Sequence, residues 1–134
     1  MARRPTLACL TVLAVALAAC GGGDDDSDDV EQTVRDFVTA TNERDGDAFC
    51  GELVTQEFLE QTIGATGDRA KESCKREFRN LRGLRVTLVR IVKTEVDGDS
   101  ATVTAVLDRQ GQPIREKLRL KKEDGDWKLA GAAE

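Results

Sequence analysis

The sequence contains no histidine and no tyrosine, and it has one tryptophan and two prolines. Histidine is a frequent general base near neutral pH and the commonest metal ligand, so its absence excludes catalytic pairs and zinc sites built on imidazole. Once Cys50 and Cys74 pair with each other, a catalytic site would have to use carboxylates, lysines, hydroxyls or arginine. We therefore expect a domain without enzymatic activity that holds no metal ion or cofactor.

Basic residues are outnumbered by acidic ones, at 20 against 25, and the net charge is −5. Nucleic acid is therefore not an expected partner, because binding it needs a net basic surface. The chain also lacks an apolar run long enough to span a bilayer. Residues 6–19 are apolar or uncharged, but about 20 apolar residues are needed for a spanning helix.

The N-terminal run has the layout of a secretory signal peptide, because Arg3 and Arg4 precede it and small residues close it. Its end, Leu17-Ala18-Ala19-Cys20, resembles the lipobox of bacterial lipoproteins. The resemblance implies that residues 1–19 are removed and that Cys20 carries lipid, such as palmitate. It also implies that the chain is held on the extracytoplasmic face of the cell membrane. The alternative is an ordinary signal peptide with a chance cysteine.

Residues 20–29 are small or acidic, and we expect them to form a flexible tether. The five aspartates lack the loop that would fix a calcium ion, which favours a solvated spacer. Residues 30–134 are predicted to form one domain. An amphipathic helix runs from Val30, with Asp28 and Glu31 as a capping box, and Asp47 and Asp68 are predicted to cap further helices.

From Leu84 the apolar residues alternate, and three turn pairs divide the remainder into four antiparallel strands: Asp97-Gly98, Gln110-Gly111 and Asp124-Gly125. Counting from these turns predicts cross-strand partners: Leu88 with Leu107, Val92 with Val103, Val103 with Leu118, and Leu120 with Leu129. The prediction is an α+β fold with N-terminal helices packed on the apolar face of a curved, mainly antiparallel four-stranded sheet.

The order of these elements, the opening helix and the stretch Arg44-Asp45-Gly46-Asp47-Ala48-Phe49-Cys50 are similar to the nuclear transport factor 2-like cone. Ketosteroid isomerases and polyketide-cyclase-like proteins share that fold. The isomerases use an aspartate base with a tyrosine and a second acid. Because this chain has no tyrosine, their activity is not expected here.

Cys50 and Cys74 are the only cysteines of the predicted domain, since Cys9 belongs to the signal peptide and Cys20 is the anchor. In an exported domain such a pair favours a structural disulfide. The alternatives are a redox pair, which usually needs the cysteines close in sequence, and a metal site, which would need further ligands.

The predicted register places Arg90, Ala105 and Glu116 in one row on the apolar face of the sheet. The two charged side chains would meet over the alanine and form the polar floor of a pocket, whose other walls include Leu88, Val103, Leu118 and Trp127. The alternative is an ion pair at a wet rim, or a β-bulge that turns one residue to solvent.

The opposite face of the third strand carries Arg115, Lys117, Arg119 and Lys121, joined by Lys128. This stripe is interpreted as a solvated face, with contact to anionic lipid or an acidic partner as the alternative. Two functions remain. One is a lipid-anchored, non-catalytic domain that binds a small amphipathic ligand or an envelope protein. The other is a small isomerase- or cyclase-like enzyme that uses Glu116.

Overall fold

A computed structural model describes residues 23–134 of the chain, so the predicted signal peptide and Cys20 lie outside the described residues. Two layers are present. The helical layer contains α1 (Gly23–Glu43), α2 (Gly46–Ala48) continued by a π-helical turn (Phe49–Leu53), α3 (Gln56–Ile63) and α4 (Gly67–Asn80). The second layer is an antiparallel sheet of β1 (Val86–Asp97), β2 (Ser100–Arg109), β3 (Gln112–Glu123) and β4 (Asp126–Ala132), in the order β1-β2-β3-β4. The predicted α+β fold is confirmed.

Helix α1 begins earlier than the sequence pattern predicted. Residues 23–29, which we expected to be part of a flexible tether starting at residue 20, are helical. The carboxylate of Asp26 accepts hydrogen bonds from Lys122 Nζ at 2.8 Å and from Trp127 Nε1 at 3.4 Å. Acidic residues are favourable in the first turns of a helix, where the helix dipole is positive. The acidic segment therefore extends α1, and Asp26 attaches the start of the helix to the sheet.

The shorter helices begin close to the predicted positions. Asp45, not Asp47, caps α2, because its side chain accepts a hydrogen bond from the Ala48 N–H at 3.0 Å. Thr55 caps α3 in the same way. Helix α4 begins at Gly67, which leaves Asp68 in its first turn rather than at the cap.

Two of the three hairpin registers follow the prediction. Val103 lies opposite Leu118, and Leu120 lies opposite Leu129. The first hairpin differs, because its turn residues are Gly98 and Asp99, and Val103 therefore faces Thr94 instead of Val92.

Two register shifts in β1, between Leu88 and Arg90 and between Ile91 and Lys93, then absorb the difference. Each shift is a β-bulge, in which one strand places an extra residue against its partner. Beyond both bulges Leu88 faces Leu107, as predicted.

The core lies between α1 and the inner face of the sheet. On this face Ala101, Val103, Ala105 and Leu107 of β2 are buried and alternate with half-buried residues. From the helices, Val30, Val34 and Val38 are buried against it. The predicted disulfide is present: Cys50 of the π-helical turn is joined to Cys74 of α4, with their Cα atoms 6.0 Å apart. It joins the turn to α4 within the core.

Removing the disulfide should destabilise the domain. The bridge closes a loop with a sequence separation of 24, which corresponds to about 3 kcal/mol of unfolding free energy in the chain-entropy model. We expect the double variant Cys50→Ala/Cys74→Ala to have an unfolding free energy lower by about that amount, as measured by urea unfolding. If alkylation without reductant labels both thiols of the native wild type, the assignment of this bridge is wrong.

The contact at the start of α1 should make stability depend on pH. The Lys122 hydrogen bond, assisted by Trp127, holds the pKa of Asp26 below its ordinary value of 3.8. A lowered carboxyl pKa stabilises the folded state above the ordinary value, and this contribution is lost as the pH falls through the lowered one. Asp26→Asn should therefore be less stable than wild type near neutral pH, and the difference should disappear in strong acid.

Urea unfolding followed by the fluorescence of Trp127 measures this difference directly. Asp28→Asn is the matched control. Asp28 lies two residues further along α1, its side chain is exposed, and the substitution removes the same charge. An equal pH-dependent loss in both variants would contradict the role of Asp26.

Candidate functional site

The row predicted across the inner face forms only in part. Glu116 lies opposite Ala105, as predicted. Arg90 lies opposite Val106 instead, so it points to the other side of the sheet. The prediction that Arg90 and Glu116 share a face is wrong, because the bulge before Arg90 reverses the alternation of β1.

Arg109, at the end of β2, takes the place expected for Arg90. Its Nη2 atom lies 3.0 Å from Glu116 Oε1 and donates to Oε2 at 3.1 Å. The side chain of Arg109 is 46% exposed and that of Glu116 is 26% exposed. This is an ion pair at a wet rim, of a kind that contributes about 0–1 kcal/mol to stability.

A cavity of about 400 Å³ lies at this end of the domain, between the helices and the adjoining ends of β1 and β2. Its sheet wall is made by Val86, Leu107 and Arg109. The predicted pocket residues Arg90, Glu116, Leu88, Val103, Leu118 and Trp127 are not among the residues that line it. Val103 is fully buried in the core, and Trp127 of β4 packs beside the start of α1, where it contacts Asp26.

The helical walls of the cavity are aromatic. The rings of Phe49 and Phe78 are stacked with their centroids 4.4 Å apart, and Phe37 is tilted against Phe49 at 5.2 Å. Phe58 of α3 forms another wall and lies beside Gly131 of β4, where an added Cβ would meet the ring at 3.4 Å. Four phenylalanines from four different helical segments thus surround one space. Their flat apolar faces suit a hydrocarbon chain or ring.

Polar side chains are few, and those other than Thr41 lie near the mouth. Thr41 is buried, and its hydroxyl donates to the Phe37 carbonyl at 2.7 Å. Thr62, Glu77 and Arg109 are exposed. Leu81 and Leu84, in the segment between α4 and β1, are also exposed, at 45% and 41%. The mouth therefore combines apolar side chains with one cation and one carboxylate.

Sequence reasoning missed this site for two physical reasons. The phenylalanines lie on separate helices, and no spacing along the chain shows that they meet. Arg109 was not considered as a site residue, although it has the same strand parity as Leu107 and so faces inward. That parity was the available signal.

Other polar clusters lie away from the cavity. Lys75 of α4 pairs with Asp47 at 2.9 Å, and this contact lowers the pKa of Asp47 and raises that of Lys75. Within residues 23–134 no group of three or more cysteine and carboxylate side chains is arranged to hold a metal ion. No helix in that range is long and apolar enough to cross a membrane.

Comparison with known proteins gives likenesses of fold. No protein-family model and no curated protein matches the chain. Among solved structures it is similar to a de novo designed protein with a curved β-sheet, at 15% identity and a TM-score of 0.48, over 76% of this chain and 94% of that one. It is also similar to a de novo designed protein of the NTF2 fold, at 15% identity and a TM-score of 0.41, over 82% and 85%. Both likenesses are to designed proteins and concern the fold alone.

Proposed function

We propose that the domain binds a small amphipathic molecule in the phenylalanine-walled cavity, without carrying out chemistry on it. The observation that carries the proposal is a cavity of about 400 Å³ with aromatic walls and a guanidinium at its rim. Binding sites for small molecules typically measure about 300–1,000 Å³ and combine apolar walls with a few polar groups.

Arg109 is suited to hold an anionic group of such a ligand. Its contacts with Glu116 use only Nη2. Among the described residues, its other guanidinium nitrogens have no hydrogen-bond partner. A guanidinium offers five N–H donors and binds carboxylate or phosphate in a fork geometry. The ligand would place its apolar part among the phenylalanines and its anionic group at the rim.

The position of Glu116 favours binding over catalysis. Its carboxylate is bound to Arg109 and does not line the cavity, so it is not directed at a molecule held there. The carboxylate that does line the cavity, Glu77, is exposed at the mouth. The isomerase- or cyclase-like alternative therefore has less support than ligand binding.

The second part of the proposal is that lipid on Cys20 holds the domain at the extracytoplasmic face of a membrane. It is supported by the lipobox-like sequence Leu17-Ala18-Ala19-Cys20. Helix α1 starts three residues later, and its cavity residue Phe37 lies eleven residues beyond Asp26, which is about 16 Å along a helix. The cavity would therefore lie well away from the anchor, open to a ligand or an envelope protein.

Loss of the rim cation should weaken binding of an anionic ligand only. We expect Arg109→Gln to bind decanoate about tenfold more weakly than wild type, since a hydrogen bond to a charged group contributes about 1.5–3 kcal/mol. Binding of decanol, which has the same chain but no charge, should be nearly unchanged. Isothermal titration calorimetry of both ligands measures the difference.

Two matched variants test whether the cavity is the site. Thr62→Trp places an indole at the mouth and should abolish binding of both ligands. Gln61→Trp, on the adjacent exposed residue of α3, should leave both ligands bound. For the charge substitution Arg109→Gln the control is Arg76→Gln, which should bind decanoate as wild type does. If decanol binding survives Thr62→Trp, the cavity is not the site. If it is lost in Gln61→Trp as well, the effect is not specific to the cavity.

Replacement of Cys20 should release the protein from membranes. We expect Cys20→Ser to move the protein from the membrane fraction to the soluble fraction, since stable anchoring needs the covalently attached chains. Cys9→Ser is the control and should leave the distribution unchanged. A wild-type N-terminus that mass spectrometry shows to be unlipidated would contradict this assignment.

A further inference from the structure

The outer face of the sheet, opposite the helices, carries cations in two aligned rows. Arg90, Val106 and Arg115 are successive partners across β1, β2 and β3. Lys93, Thr104 and Lys117 form the next row. Strands lie about 4.8 Å apart, so the two cations of a row are roughly 10 Å apart at the backbone. All four side chains are exposed, and β2 places only neutral residues between them.

The β-bulges of β1 create this arrangement. Without the shift between Leu88 and Arg90, Arg90 would face inward with Leu88. The two extra residues, Val89 and Val92, are exposed at 55% and 43%. On the bulged strand each exposed valine is adjacent in sequence to a cation of the outer face, Val89 to Arg90 and Val92 to Lys93.

Few acidic groups neutralise these cations. Lys93 pairs with Glu95 at 2.7 Å, and Lys117 donates to a main-chain oxygen of Glu134 at 3.5 Å. Among the described residues, Arg90 and Arg115 have no ion-pair partner. We call Arg90, Lys93, Arg115 and Lys117 the basic face. Three other cations of the β3 stripe are not counted in the basic face. Lys121 pairs with Glu57 of α3 at 3.6 Å, Lys128 pairs with Glu123 at 3.3 Å, and the guanidinium of Arg119 lies beside Gly131 of β4.

We propose that the basic face is a docking surface for an anionic phospholipid bilayer. On a chain with a net charge of −5, four clustered cations give the domain an uneven charge distribution that turns this face toward a negative surface. A basic residue near an anionic membrane contributes about a fivefold gain in binding. The proposal does not depend on the cavity or on lipid at Cys20.

The exposed valines favour a bilayer over other anionic partners. The interfacial region of a bilayer offers phosphate groups and apolar acyl carbons at neighbouring depths, and it accommodates surfaces that are both basic and apolar. An acidic peptide or a nucleic acid backbone would satisfy the cations and leave Val89 and Val92 uncovered. A second copy of the same face would bring like charges together, which is unfavourable.

The test uses the full chain and measures acetylation of individual lysines by mass spectrometry. Vesicles of pure phosphatidylcholine are compared with vesicles that also contain phosphatidylglycerol. We expect Lys93 and Lys117 to be acetylated about fivefold more slowly on the anionic vesicles, and Lys71 of α4 to react equally on both. The full chain keeps any anchor, and the comparison between lipids isolates the effect of charge.

Charge removal provides the matched control. Arg90→Gln/Arg115→Gln should abolish the protection of Lys93 and Lys117. Arg69→Gln/Arg76→Gln removes the same charge from α4 and should retain it. The proposal is overturned if the two lysines react alike on both vesicles, or if Lys71 is protected to the same extent. It is also overturned if soluble polyglutamate protects them and anionic vesicles do not, since the partner would then be an acidic polypeptide.

Discussion

Strand β1 has twelve residues and its neighbour β2 has ten, and the two must still pair along their length. Two β-bulges resolve the mismatch, and much of the molecule depends on where they fall. They bring Leu88 back to the inner face opposite Leu107, so the sheet closes over α1 with apolar side chains. Bulges also bend a strand and increase its twist, which helps one sheet to enclose a core. The same bulges turn Arg90 out of the interior.

The helical layer depends on one covalent bond and one aromatic stack. The Cys50–Cys74 disulfide joins the π-helical turn to α4, and Phe49, next to Cys50, stacks on Phe78 of the same helix. Phe37 of α1 completes the wall. The turn is thus held to the neighbouring helices, while the space between this wall and the end of β2 remains open as the cavity.

The sequence predicted the features that a local turn motif or a simple count of residue types defines. The Gln110-Gly111 turn defined the β2–β3 register because it is a regular two-residue connection, and the lone cysteine pair in the predicted domain indicated the disulfide. The prediction of the β1 register failed because neither the turn nor the bulges can be located from the residue types that form them. Asp97-Gly98 and Gly98-Asp99 are equally good turn pairs, and Val89 and Val92 are ordinary strand residues with no signal of a bulge.

The predicted site is not the observed one. Glu116 does pair with a cation, but the cation is Arg109 and not Arg90, and the pair lies at the rim instead of forming the floor of a pocket. Between the two bulges the register differs by one residue from the predicted one, and this is enough to reverse the side chains of Arg90 and Ile91. The phenylalanine cavity could not be predicted from the pattern, because it depends on the packing angles of four helical segments.

The attachment of Asp26 to Lys122 and Trp127 also has a mechanical consequence. A pull on the N-terminal end of α1 reaches this corner first, where a charged hydrogen bond to the β3–β4 hairpin would resist it. Beyond the corner, Val30 and Val34 are fully buried against the sheet, so the helix could leave only by sliding its whole apolar stripe out of the core. A load that enters from that end is thus spread along α1. It reaches the cavity beside Phe37 only after it has acted on the buried valines nearer the start of the helix.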